Sequence, residues 1–140
     1  MKSKTDCTTY LYEEKSKLIN DFPKFENTTK EIFTKLLEFI NTDFNGVSEN
    51  KIYRKFLITF KEIICCAFEN NASKAYMQRL FIKINNKKVS NYLISLTKTN
   101  SQSICNILKR FVNLFVYWQN SEQTKEFKLN EILNLIDSWM

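Results

Sequence analysis

Apolar residues recur along this chain at spacings of three and four, the period of a helix packed on one side. Seven segments carry that pattern. The first spans Tyr10 to Asn20 with Leu11, Leu18 and Ile19, and stops before Phe22-Pro23, because proline disfavours a helical residue ahead of it. Thr28-Thr-Lys-Glu31 reads as a capping box, a hydroxyl and a carboxylate satisfying free amides at a helix start. It opens a helix with Ile32, Phe33, Leu36, Leu37, Phe39 and Ile40 inward, and Asp43-Phe-Asn-Gly46 turns the chain. Ser48 then caps a long helix reaching about Glu69, with Ile52, Phe56, Leu57, Phe60, Ile63, Ile64 and Ala67 on its stripe.

Asn70-Asn71 and Asn85-Asn86 interrupt the chain. Between them Ser73 starts a helix bearing Tyr76, Leu80, Phe81 and Ile84, and after them Val89, Tyr92, Leu93 and Leu96 mark another. From Ser101 to Trp118 the stripe is Ile104, Leu108, Phe111, Phe115 and Trp118, widened by Ile107, Val112 and Leu114. A helix apolar over so much of its circumference is packed on several sides, so this segment is expected to be the central strut. Thr124 caps a last helix with Phe127, Ile132, Leu133 and Ile136.

Composition agrees with helices. Across 140 residues there is one Gly and one Pro, whereas sheet proteins draw on glycine for turns of positive φ. With 44% hydrophobic residues, including 12 Phe, 6 Tyr and 2 Trp, the chain has enough apolar surface for a core of its own. Short polar loops between helices imply antiparallel neighbours. The fold class expected is therefore all-α, with about seven antiparallel helices in one compact bundle or right-handed superhelix, a single domain over residues 1–140. Few alanines among many lysines, asparagines, isoleucines and phenylalanines also fit an AT-rich genome, which accounts for part of the lysine count.

The start, Met1-Lys-Ser-Lys-Thr-Asp-Cys, has no apolar signal core, and no apolar run nears the roughly 20 residues that span a bilayer. An intracellular protein, cytoplasmic or nuclear, with no membrane partner is expected. Cys7, Cys65, Cys66 and Cys105 then read as reduced thiols, while two disulfides in a secreted four-helix cytokine remain the alternative. There is no histidine and no Cys-x-x-Cys, so no metal is expected. The commonest general base is absent with the histidine, as are Cys-His and Ser-His nucleophile pairs, and one glycine makes no phosphate loop. Glu13-Glu14 reads as a solvated helix face. The expectation is no enzyme and no cofactor.

Charge is uneven. The net charge is +6, and between Glu69 and Glu122 no acid occurs, while Lys74, Arg79, Lys83, Lys87, Lys88, Lys98, Lys109 and Arg110 fall in that interval. Codon bias that enriches lysine does not clear acids from one window alone. Arg79 and Lys83 lie four apart on one helix face, Lys87 and Lys88 follow, and Lys109-Arg110 emerges from the central helix. A cluster of one sign concentrates ligands of the other, so these six residues form the candidate binding face, expected to meet at one edge and share an anionic ligand. A solvated face that keeps the chain soluble is the plain alternative.

The block Asn91 to Asn100, then Ile107 to Trp118, then Phe127 to Ile136 resembles the last three helices of RNA polymerase II C-terminal-domain-interacting domains. That resemblance implies a right-handed superhelix, a phosphopeptide groove and a role in transcription termination or RNA processing. Where that family has a Leu-Asp-Ser-Ile-like groove segment, this chain has Phe60-Lys-Glu-Ile-Ile-Cys65 without the aspartate. Three functional readings result. The preferred one is a non-enzymatic adaptor whose basic face binds an acidic or phosphorylated protein segment. The others are a viral or parasite protein that modulates host immunity or apoptosis through an apolar groove, and a helical nucleic-acid-binding domain.

Overall fold

Pro23 sets the first boundary of the structure. Its fixed φ suits the start of a helix, and a single 3₁₀ turn over Pro23–Phe25 separates α1 (Lys4–Asp21) from α2 (Glu26–Asn41). The remaining helices are α3 (Glu49–Glu69), α4 (Lys74–Ile84), α5 (Lys87–Thr97), α6 (Ser101–Asn120) and α7 (Lys125–Trp139). This computed structural model describes residues 4–97, 101–120 and 125–139, with side chains over 7–96, 102, 104–113 and 129–139. The described residues hold no strand, and the all-α expectation is met.

Capping explains most boundaries. Ser48 accepts a hydrogen bond from the Lys51 amide (3.4 Å), and Ser73 accepts from the Tyr76 amide (3.2 Å), each satisfying one amide that an α-helix leaves free at its start. Asn71 ends α3 in the left-handed region, at φ 53°. The Ala72 amide reaches back to the Ala67 carbonyl and the Asn71 amide to Phe68, the Schellman arrangement that satisfies a helix's last carbonyls. Asn86 begins α5, its Oδ1 accepting from the Lys88 amide at 2.8 Å.

Two sequence expectations are corrected. The first helix starts at Lys4, not Tyr10, because Cys7 extends the buried stripe by one turn. Thr28 and Thr29 are not a capping box: α2 is already helical at Glu26, and both threonines are buried. The 3₁₀ turn feeds α2 directly, so the hydroxyls are free for other work. Thr29 donates to the Phe25 carbonyl (2.8 Å) and pairs with the Tyr76 hydroxyl (2.7 Å) beneath Phe22 and Phe25. Burial raises the Tyr76 hydroxyl to about 12, against the Thr29 hydrogen bond, which lowers it.

α1, α2 and α3 pack in chain order, while α6 lies against both α4 and α5. α1 also touches α4 and α5, and α7 closes on α3. The two groups meet through a run of aromatic rings. Phe39 of α2 contacts Phe56 of α3, Phe56 meets Phe60 edge-on at 4.5 Å, and Phe60 stacks on Phe111 of α6 at 4.1 Å. Phe111 in turn faces Phe81 of α4 (6.4 Å) and Trp139 of α7 (5.8 Å). The strut assigned to α6 is visible in its first half: Ile104, Ile107, Leu108 and Phe111 are buried. The side chains of Leu114, Phe115, Trp118 and Phe127, and the cap assigned to Thr124, lie outside the described residues.

All four cysteines are free thiols, Cys7 and Cys66 buried and Cys65 and Cys105 half-buried. Burial raises Cys7 to about 11; burial, with Glu31 beside the sulfur, raises Cys66 to about 12. A thiol reacts as its thiolate. By accessibility, a disulfide reagent at neutral pH should reach the half-buried Cys65 and Cys105 first, and Cys7 and Cys66 only on unfolding. Rapid loss of all four thiols in the native protein would contradict this packing.

Candidate basic interaction face

The basic face is built on α4. Tyr76, Met77, Leu80, Phe81 and Ile84 recur at helical spacing and are buried, which turns the rest of the helix outward. Arg79 and Lys83 occupy the flank beside α1. The Arg79 guanidinium pairs with the Asp21 carboxylate and lies over the Phe22 ring at 6.0 Å. Lys83 Nζ stands 2.7 Å from Glu14 Oε2, and Lys88 Nζ lies 5.3 Å over the Tyr10 ring. Partners fall along α1 as their bases rise along α4 and α5, so α1 runs antiparallel to this basic series.

Glu14 corrects the sequence reading. It lies on the inward stripe Cys7-Leu11-Glu14-Leu18 and is 4% exposed, so it is no solvated face. Burial pushes its carboxyl up, but Lys83 and Lys17 outweigh that and hold it below the usual carboxylate range. Lys17 lies 3.5 Å away on the next turn of α1. The signal was present: Glu14 sits three residues after Leu11 and four before Leu18. What the sequence lacks is the base that reaches it from α4.

The six candidate residues therefore divide. Arg79, Lys83 and Lys88 are drawn together along α1, the first two already facing acids. Arg110 meets α7 instead, its guanidinium 5.2 Å over the Trp139 ring. Lys87 and Lys109 are exposed and meet no acid among the described residues. Of the six expected to share one ligand, Arg79, Lys83 and Lys88 are brought together by their contacts to α1, while Arg110 contacts α7.

A separate groove of about 450 Å³ runs between α2 and α3. Its walls mix Glu31, Glu38 and Glu62 with Lys35 and Lys55 over a Phe39 floor. Lys35 ties the walls together, 3.7 Å from Glu62 and 4.0 Å from Glu31. Its lining threonines Thr34, Thr42 and Thr59 each donate to a carbonyl of their own helix, so the groove is mostly satisfied by itself. Among the described residues no three His, Cys, Asp or Glu side chains cluster to hold a metal, and no helix is long and apolar enough to cross a membrane. Comparison with family models, with curated proteins and with solved structures returns no match.

Proposed function

We propose that this chain is a non-enzymatic, intracellular interaction module that docks an anionic protein segment on the surface of α4, the start of α5, and α6. One observation carries the reading: α4 and α6, which pack on each other, contain no acid at all. Whatever their outer faces present is positive or neutral, with Lys87 and Lys109 exposed. Such a surface attracts anions and speeds their encounter. The peptide-binding role implied by the resemblance of the C-terminal half agrees with it.

The test is a double charge reversal, Lys87→Glu with Lys109→Glu. Both side chains are exposed, so melting should shift by no more than a few degrees. Binding to an array of acidic and phosphorylated peptides should weaken by about tenfold or more, and wild-type binding should weaken with added salt. Binding indifferent to this reversal at low and at physiological salt would leave an apolar groove as the contact surface instead.

A further inference from the structure

The chain's one glycine follows an asparagine. Asn45-Gly46 lies in the turn between α2 and α3, which the Val47 amide closes on the Phe44 carbonyl at 3.0 Å. Both residues are exposed. Gly46 takes a left-handed φ of 76°, a turn geometry that glycine adopts without strain. Nothing lies within 4 Å of where a Cβ on it would stand, so this corner is clear of the rest of the fold. The Asn45 amide donates to Asp43 Oδ1 at 3.0 Å. The Asn45 carboxamide and the Gly46 amide have no partner among the described residues.

Asparagines at the other helix ends are held differently. After Asn41, Asn70, Asn71 and Asn85 the next amide in the chain is bonded: Thr42 to Phe39 (3.2 Å), Asn71 to Phe68 (3.1 Å), Ala72 to Ala67 (3.0 Å) and Asn86 to Lys83 (3.2 Å). Asn70 also donates its side chain to the Cys66 carbonyl (2.7 Å), and Asn86 Oδ1 accepts from the Lys88 amide (2.8 Å). An asparagine carboxamide and the backbone nitrogen that follows it are a carbonyl and a nucleophile one bond short of a five-membered ring. The ring closes only where that nitrogen can lose its proton to water and approach the side chain. A bonded amide does so only after local opening.

We propose that Asn45 is a site of spontaneous deamidation, a modification whose co-reactant is water. The Gly46 nitrogen, its proton taken by solvent base, attacks Asn45 Cγ. The N–Cγ bond forms, the Cγ–Nδ2 bond breaks, and Nδ2 leaves as ammonia with a proton from solvent. Water then opens the succinimide at either carbonyl. Cleavage of N–Cγ gives aspartate; cleavage between the nitrogen and the main-chain carbon gives isoaspartate. Nothing is oxidised or reduced. The net charge of +6 falls by one, and the isoaspartate form carries an extra methylene in the backbone of the α2–α3 turn.

Wild type incubated in warm buffers of rising pH, then mapped by mass spectrometry of its peptides, tests this. Asn45 should convert first, at least about tenfold faster than Asn71, since opening a backbone hydrogen bond costs roughly that factor. Its rate should rise with pH. An isoaspartate methyltransferase should label the product in wild type but not in Asn45→Gln, whose longer side chain does not close the five-membered ring. Denaturant supplies the control for sequence alone: unfolding should speed Asn71 by about the factor that its neighbour's hydrogen bond withheld, and Asn45 by less. Asn45 converting no faster than Asn71 in the folded chain, equal acceleration of the two on unfolding, or conversion to aspartate alone would each overturn the proposal. So would isoaspartate labelling that persists undiminished in Asn45→Gln.

Discussion

Phe111→Ala should lower the stability of this protein by about 3–5 kcal/mol, the range for truncating a buried phenylalanine. For a chain of this size that corresponds to a fall of roughly 10–15 °C in melting temperature. Phe111 is 1% exposed and is the ring on which three other helices converge: Phe60 from α3, Phe81 from α4 and Trp139 from α7. Its removal takes away burial and ring contacts and leaves a cavity that helices fixed on all sides cannot close. Calorimetry of Phe111→Ala beside Asn113→Ala, an exposed position two residues on, makes the comparison. Equal melting of the two variants would show that the aromatic run is not what joins the two helix groups.

Lys83→Met should cost about 1–3 kcal/mol through a different cause. It leaves the carboxylate of Glu14, only 4% exposed, facing α4 without its nearest charge. Breaking a fully buried pair costs roughly 3–5 kcal/mol; the smaller figure applies because Lys83 is itself partly exposed and Lys17 remains 3.5 Å from the carboxylate. Adding Glu14→Leu should recover most of the loss, since an apolar pair of similar size often replaces a buried ion pair without penalty. A double variant no more stable than Lys83→Met alone would refute the pairing.

Acid should act on the same contact. The Glu14 carboxyl titrates lower in the folded chain than its ordinary value of 4.5. A depressed carboxyl stabilises the fold above the unfolded value, and the contribution is lost as pH falls through the folded one. Stability should thus decline below about pH 4.5, less steeply in Glu14→Gln. This pair also governs how the basic face is probed: charge reversal at Lys83 would disturb folding, whereas Lys87 and Lys109 report on binding alone.

Much of the fold was legible because burial follows a helical period. Ile104, Leu108 and Phe111, or Ile52, Phe56, Phe60 and Ile63, fall on one face by spacing alone, and all are buried. Ser48 and Ser73 announced helix starts because a capping side chain acts within three residues of itself. Thr28-Thr-Lys-Glu31 misled for a related reason: the same residue types serve a cap or a buried contact, and Pro23 upstream had already started the helix.

The candidate site was half legible. An acid-free interval is a property of the sequence, and it marked the stretch from α4 to α6 as the basic part of the chain. Whether each charge stays available is decided by what lies across from it. Asp21 meets Arg79 over a separation of 58 residues, and Glu14 meets Lys83 because α1 runs antiparallel to α4. Electrostatic interaction depends on distance in space and on the loss of water around the pair, neither of which is written in local order. The spacing of apolar residues therefore determined the helices, their inward faces and the sign of the surface. The packing of α1 on α4 decided that Arg79 and Lys83 face acids, and the tertiary fold decided that Arg110 lies over Trp139 and that Ile82, Lys87 and Lys109 face solvent.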